Sequence, residues 1–172
     1  MGLNNTTTNE DVLVALGANL PSAHGSPRQT LEVALPEIEA QGMKIVARSR
    51  WYRSAPVPIS SQDWYINGVV SIETDLGPED VLSRLHMIED RFGRERGERN
   101  AARVLDLDLI SWRNQISHGE TPPILPHPRM HDRAFVLLPM ADVVPAWVHP
   151  VSGRTLTALI KAIPEDQITE AL

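Results

Sequence analysis

A chain of 172 residues, 42% hydrophobic and 22% charged, is long enough to bury one core and too apolar to be a disordered protein. Its net charge of -6 excludes general nucleic-acid binding through bulk positive charge. Cysteine is absent, which excludes disulfide frameworks and thiolate metal sites, and no apolar run approaches the ~20 residues of a membrane span, so the expectation is a cytoplasmic protein without membrane association.

Residues 1–10, M-G-L-N-N-T-T-T-N-E, lack apolar periodicity and read as a flexible leader. Residues 11–172 carry no internal repeat or low-complexity linker and read as a single domain. Val12 to Leu16 is a short apolar run that breaks at Gly17-Ala18-Asn19, the pattern of a first strand. Ser26-Pro27-Arg28-Gln29 supplies an N-cap, a first-turn proline and a capping-box partner, so a helix starts there. Leu31, Ala34, Leu35 and Ile38 form its apolar face, and Pro36 is expected to kink or shorten it. Met43 to Tyr52 reads as a second strand, with Lys44, Arg48 and Arg50 turned outward or toward a ligand. Ser54-Ala55-Pro56-Val57-Pro58-Ile59 is a loop, because proline removes ladder donors. Tyr65 to Thr74 resumes as a third strand. Gly77-Pro78-Glu79 opens a second helix with Val81, Leu85, Ile88 and Phe92 on one face and Gly93 as its stop. His86 and Glu89, three apart near its end, are expected to share a side that faces the next segment.

That segment reads R-F-G-R-E-R-G-E-R-N-A-A-R and runs directly into L-D-L-D-L. Arg94, Arg96, Arg99 and Arg103 repel one another unless an anion sits among them. Strict alternation from Leu105 to Leu109 predicts a half-buried strand, leucines inward and Asp106 and Asp108 on the other face. Their Cα atoms then lie about 6 to 7 Å apart, a spacing at which two carboxylates grip divalent metal. The L-D-L-D-L pattern alone fits a solvated strand equally well, with surface ion pairs worth about 0 to 1 kcal/mol. The arginines beside it favour a metal-assisted nucleotide site, since guanidinium forks suit phosphate oxygens.

Prolines on both sides of His127 give a stiff turn, followed by Arg133 and a helix from Ala134. His127 and His131 have no H-x-E or cysteine set to complete a zinc site. Val143 to Ile163 reads as a small hairpin around Ser152-Gly153 and a closing helix. The order of strand, helix, strand, strand, helix, strand predicts an α+β fold: a ferredoxin-like βαββαβ sandwich with an antiparallel sheet and C-terminal additions.

With these motifs in place, the chain resembles the 6-hydroxymethyl-7,8-dihydropterin pyrophosphokinase family from V-A-L-G-A-N-L to about Ile163. The specific pieces are R-x-L-D-L-D-L at 103–109 and L-P-H-P-R-M-H-D-R-A-F-V-L-x-P at 125–139. The resemblance implies transfer of pyrophosphate from ATP to 6-hydroxymethyl-7,8-dihydropterin in folate biosynthesis, with AMP released. It implies two Mg2+ ions on Asp106 and Asp108, and catalytic roles for Arg94, Arg96, Arg99 and Arg103. ATP would contact Glu89, Arg96, Arg99, Arg103, Leu109, His127 and Arg133. The pterin would meet Ser54, Ala55, Val57, Asn67 and Asp106, and stack between Tyr65 and Phe135. ATP and the pterin are the expected partners of a monomer. Many members carry R-W-x-P-R where this chain has Arg99-Asn100-Ala101-Ala102-Arg103, so the tryptophan anchor of that loop is missing. Two other readings use parts of the pattern: a different Mg-dependent nucleotidyl transferase built on the Asp-x-Asp pair, and a ferredoxin-like RNA-binding module that stacks bases on Tyr65.

Overall fold

In the computed structural model, which describes residues 9–94 and 101–172, β1 (Val12–Ala18) is buried along its whole length. Its side chains alternate between two cores: Val12, Val14, Leu16 and Ala18 point one way, Leu13 and Ala15 the other. A strand covered on both faces needs no polar side, which is why it reads as an unbroken apolar run. β1 pairs antiparallel with β4 (Tyr65–Glu73) on one side and β5 (Asp106–Trp112) on the other. Beyond β4 lie β2 (Lys44–Arg48) and β3 (Tyr52–Ser54), and β6 (Thr169–Ala171) pairs with β3. The sheet therefore runs β5-β1-β4-β3-β6, with β2 also on β4.

Helices α1 (Pro27–Ala40) and α2 (Pro78–Arg91) bury Leu31, Ala34, Leu35, Ile38, Val81, Leu85 and Ile88 against one face. Helices α3 (Ala134–Val143) and α4 (Leu156–Lys161) cover the other with Val136, Leu137, Met140, Leu156 and Leu159. The capping box at α1 forms as expected: Ser26 Oγ accepts from the Gln29 amide, and Gln29 Oε1 accepts from the Ser26 amide at 2.8 Å. Pro36 does not shorten the helix, which continues to Ala40. A proline inside a helix costs about 3 kcal/mol, and the apolar side chains packed on both sides of it outweigh that. Gly93, at φ 88°, ends α2 and lets the Arg94 amide reach back to the Glu89 carbonyl at 3.1 Å.

The stretch expected as one strand from Met43 to Tyr52 is two. A register shift lies between Ile45 and Ala47, and Val46 is exposed there. Trp51 then turns into the core under α1 and α2 and donates to Glu32, its ring lying 2.6 Å from where a Cβ on Gly68 would stand. Arg48 pairs with Glu32 at 3.1 Å, and Arg50 is held by Asp142, which also accepts from the Tyr52 hydroxyl at 2.8 Å. Neither arginine turns toward the cavity described below. Ser54, read as loop, is the last residue of β3. Of His86 and Glu89, only Glu89 turns inward: His86 is exposed and Glu89 is buried. Asn9, placed in the loose leader by sequence, is buried, with Nδ2 donating to the Val148 carbonyl at 2.6 Å and Oδ1 accepting from the Val148 amide.

Candidate functional site

At one end of β1 the sheet opens into a cavity of about 800 Å³. β5 supplies its acidic floor. Leu105, Leu107 and Leu109 go into the core under α1 and α2, so period-2 alternation leaves Asp106 and Asp108 on the opposite face, lining the cavity. β3 and β4 supply Ser54, Tyr65 and Asn67, the loop after β3 adds Ala55 and Val57, the segment before α3 contributes His127 and Arg133, and the first turn of α3 contributes Phe135. Arg94 and Arg103 complete the cationic wall. Arg96, Arg99 and Asn100 lie outside the described residues.

The acidic and basic groups are interlocked. Arg94 donates from one terminal nitrogen to Glu89 and to Asp106 Oδ1, the latter at 3.1 Å. Glu89 is 1% exposed and also accepts from the Leu107 amide at 2.9 Å. Burial raises its carboxyl above the ordinary carboxylate range, and the charge of Asp106 adds to this against the Leu107 amide and Arg94. Glu89 therefore sits behind Arg94, outside the cavity lining, and the Leu109 side chain lies in the core. Burial, then the neighbouring Asp106 charge, pushes Asp108 up to about 7, against the pull of Arg133, Arg94 and Arg103. Two crowded carboxylates held this way gain stability from any cation that joins them. Arg103 has the reverse need: its buried Nη1 has no hydrogen-bond partner among the described residues. A buried guanidinium nitrogen left unpaired is costly, and a phosphate oxygen would satisfy it.

His127 accepts the Arg129 amide at its Nδ1, 3.2 Å away, which leaves Nε2 as the protonated nitrogen of the neutral ring. Burial and then Arg133 lower its pKa, so it stays neutral. On the opposite wall the Ser54 hydroxyl donates to Asn67 Oδ1 and fixes that amide. A Cβ on Gly17 would come within 2.9 Å of Asn67 Nδ2, so glycine is needed for the amide to lie across β1. The Tyr65 hydroxyl donates to the Ala101 carbonyl at 3.2 Å. The Arg133 guanidinium stands 5.5 Å from the centre of the Phe135 ring.

Sequence reasoning passed over two residues. Asn19, 1% exposed, accepts the Arg103 amide at 2.8 Å and donates to the Asp63 carbonyl at 3.0 Å and Gln62 at 3.3 Å, tying both walls to the end of β1. Its signal was its place in the G-A-N-L break after the first strand. Gln167 lines the cavity from a polar C-terminal segment with no periodicity to single it out. Among the described residues no cluster of three or more His, Cys, Asp or Glu is arranged to hold a metal, and Asp106 and Asp108 are the carboxylates of β5 that line the cavity.

Residues 13–145 match the family model described as 7,8-dihydro-6-hydroxymethylpterin-pyrophosphokinase. Proteins named 2-amino-4-hydroxy-6-hydroxymethyldihydropteridine pyrophosphokinase are similar: that of Synechocystis sp. is 38% identical over 88% of this chain and 75% of its own length. That of Pseudomonas aeruginosa is 38% identical over 91% of this chain and 94% of its own. The Pneumocystis carinii folic acid synthesis protein fol1 is 32% identical across 98% of this chain, which spans 22% of that longer protein. Among solved structures, wild-type Plasmodium falciparum HPPK-DHPS with STZ-DHP superimposes with a TM-score of 0.68 at 14% identity, covering 92% of this chain and 44% of that one; the likeness is one of fold.

Proposed function

The chain belongs to the 7,8-dihydro-6-hydroxymethylpterin-pyrophosphokinase family, and from that premise we propose that it transfers pyrophosphate from ATP to 6-hydroxymethyl-7,8-dihydropterin, giving the pterin diphosphate and AMP. The observation that carries the reading is the meeting of two halves in one cavity: Asp106, Asp108 and Arg103 on one side, Tyr65, Asn67 and Phe135 on the other.

The residues present fit magnesium. Carboxylate oxygens are hard donors, and Mg2+ is commonly held by one or two of them with phosphate and water filling the remaining positions. Asp106 and Asp108 would hold two ions, which when bound neutralise and orient the triphosphate oxygens. The chain's own residues do the rest. Arg103 offers phosphate oxygens the nitrogen that lacks a partner among the described residues, Arg133 adds a second fork, and neutral His127 donates from Nε2. Arg94, anchored by Glu89 and Asp106, presents fixed positive charge where negative charge grows as the pterin oxygen attacks the β-phosphorus. Arg96 and Arg99, which lie outside the described residues, would add further guanidinium groups for phosphate. The flat pterin sits between Tyr65 and Phe135, stacking worth about 0.5 to 1.5 kcal/mol beyond buried area. Asn67, oriented by Ser54, reads its amide edge, and Ala55 and Val57 close that side. Glu89 acts through Arg94.

Residues 44–54 count as one interrupted strand in this reading, which makes the topology ferredoxin-like, with residues 11–172 as one monomeric domain working in the cytoplasm, where ATP is supplied. Incubation with ATP, magnesium and the hydroxymethyldihydropterin releases AMP in step with the pterin diphosphate. ADP or inorganic pyrophosphate as the nucleotide-derived product would overturn the assignment.

A further inference from the structure

We propose that Gln167 is a positioning residue of this site: it holds Arg133 and Phe135 in register with the Ser54–Val57 wall and thereby sets affinity for the pterin. The inference rests on the function proposed above. Gln167 lies beyond residues 13–145, the stretch that matches the family model, yet its side chain lines the cavity.

Its amide makes two bonds that straddle Arg133. Oε1 accepts from the Ala134 amide at 2.9 Å, and Nε2 donates to the Asp132 carbonyl at 2.7 Å. Ala134 is the first residue of α3, and the residue before it, Arg133, gives no side-chain cap. First-turn amides have no partner within their own helix, so Gln167 caps α3 from a distant part of the chain and leaves the Arg133 side chain free for the cavity. Arg133 in turn stands over Phe135. The clamp therefore fixes the residue that meets phosphate and the ring that stacks on the pterin as one unit.

The neighbouring residues grip the opposite wall. The Ile168 carbonyl accepts from the Ala55 amide at 3.0 Å, and Thr169 pairs with Ser54 where β6 joins β3. Three consecutive residues, 167 to 169, thus join the two walls between which the pterin is proposed to stack. A carboxamide suits the position because one bond needs an acceptor and the other a donor. A glutamate in its place keeps the bond to the Ala134 amide and sets a carboxylate oxygen against the Asp132 carbonyl.

The test is calorimetric titration of 6-hydroxymethylpterin, with magnesium and α,β-methylene-ATP present, into the wild-type chain, Q167A, Q167E, F135L and the double variant Q167A/F135L. Q167A is expected to weaken pterin binding about fivefold, the loss of about one net hydrogen bond's worth of positioning. In the F135L background the same change is expected to have less than a twofold effect, because the clamp acts through Phe135. Q167E is expected to fall between Q167A and wild type, and it serves as the test variant if Q167A does not fold. Wild-type affinity in Q167A, or an undiminished effect in the F135L background, overturns the proposal and leaves the function standing. Failure of the wild-type chain to bind the pterin overturns the functional reading itself, and this inference with it.

Discussion

Replacing Asn19 with alanine tests whether the two walls of the cavity are tied together at the end of β1. The Asn19 side chain is buried and makes three hydrogen bonds, to the Arg103 amide at 2.8 Å, the Asp63 carbonyl at 3.0 Å and Gln62 at 3.3 Å. A net hydrogen bond is worth about 1 kcal/mol, and a buried group left without a partner costs about 1 to 3 kcal/mol. The Gln62 contact is long and weak, so the loss rests on the other two and comes to about 2 to 3 kcal/mol. In a protein of this size that lowers Tm by roughly 4 to 12 °C. Urea unfolding of Asn19→Ala followed by circular dichroism, with the slope unchanged, measures it. Asn19→Asp keeps the acceptor for Arg103 but sets an oxygen against the Asp63 carbonyl, and is expected to be no more stable than the alanine variant. A loss below about 1 kcal/mol in Asn19→Ala would refute the idea that this amide ties the walls.

Two further outcomes are expected at the floor of the cavity and beside it. Asp108→Asn should abolish AMP release while leaving Tm equal to or above that of the wild type, because the change removes a charge that burial and Asp106 both oppose; a large fall in Tm would mean that this side chain supports the core. His127, whose pKa is lowered by burial and by Arg133, should titrate in proton–nitrogen NMR spectra below the 6.5 of a free imidazole. The sign follows: a group that stays neutral in the fold favours folding above the unfolded pKa, and that contribution is lost as pH falls from about 6.5 through the folded value. Stability of His127→Gln should therefore fall less than wild type over the same acid range, and a midpoint above 6.5 would contradict the burial assigned to the ring.

The parts of the fold written in local periodicity were readable from the sequence. The capping box at Ser26, the stop at Gly93 and the alternation from Leu105 to Leu109 each depend on residues within a few positions of one another, and each forms as the pattern implies. What the pattern missed depends on partners far along the chain. Trp51 interrupts a strand because a glycine at 68 leaves room for its ring, and neither residue signals the other. β6 is three residues long and becomes a strand only because β3 offers an edge. The same holds in the site: Asp106, Asp108, Tyr65 and Phe135 stand out by residue type, whereas Asn19 and Gln167 matter through hydrogen bonds to backbone groups far along the chain.

The polar groups of the cavity differ in kind from those elsewhere in the protein. Away from it, three arginines are matched with carboxylates within the chain: Arg50 with Asp142, Arg53 with Glu170, Arg48 with Glu32. Inside it, two carboxylates crowd each other while a buried guanidinium nitrogen lacks a partner among the described residues, so the fold carries an electrostatic cost on both signs at once. Arg103 offsets the acidic pair only in part, since Asp108 stays raised despite its pull and the buried nitrogen still lacks a hydrogen-bond partner among the described residues. A simple anion would relieve Arg103 and worsen the carboxylates, and a simple cation would do the opposite. A metal–polyphosphate relieves both, because it brings cations to the aspartates and oxygens to the arginine in one ligand. On this argument metal and nucleotide bind with positive coupling: the affinity of each rises when the other is present, and Asp108→Asn removes the coupling before it removes nucleotide binding. Calorimetric titration of α,β-methylene-ATP with and without magnesium measures this directly, and equal affinity in the two conditions would refute it.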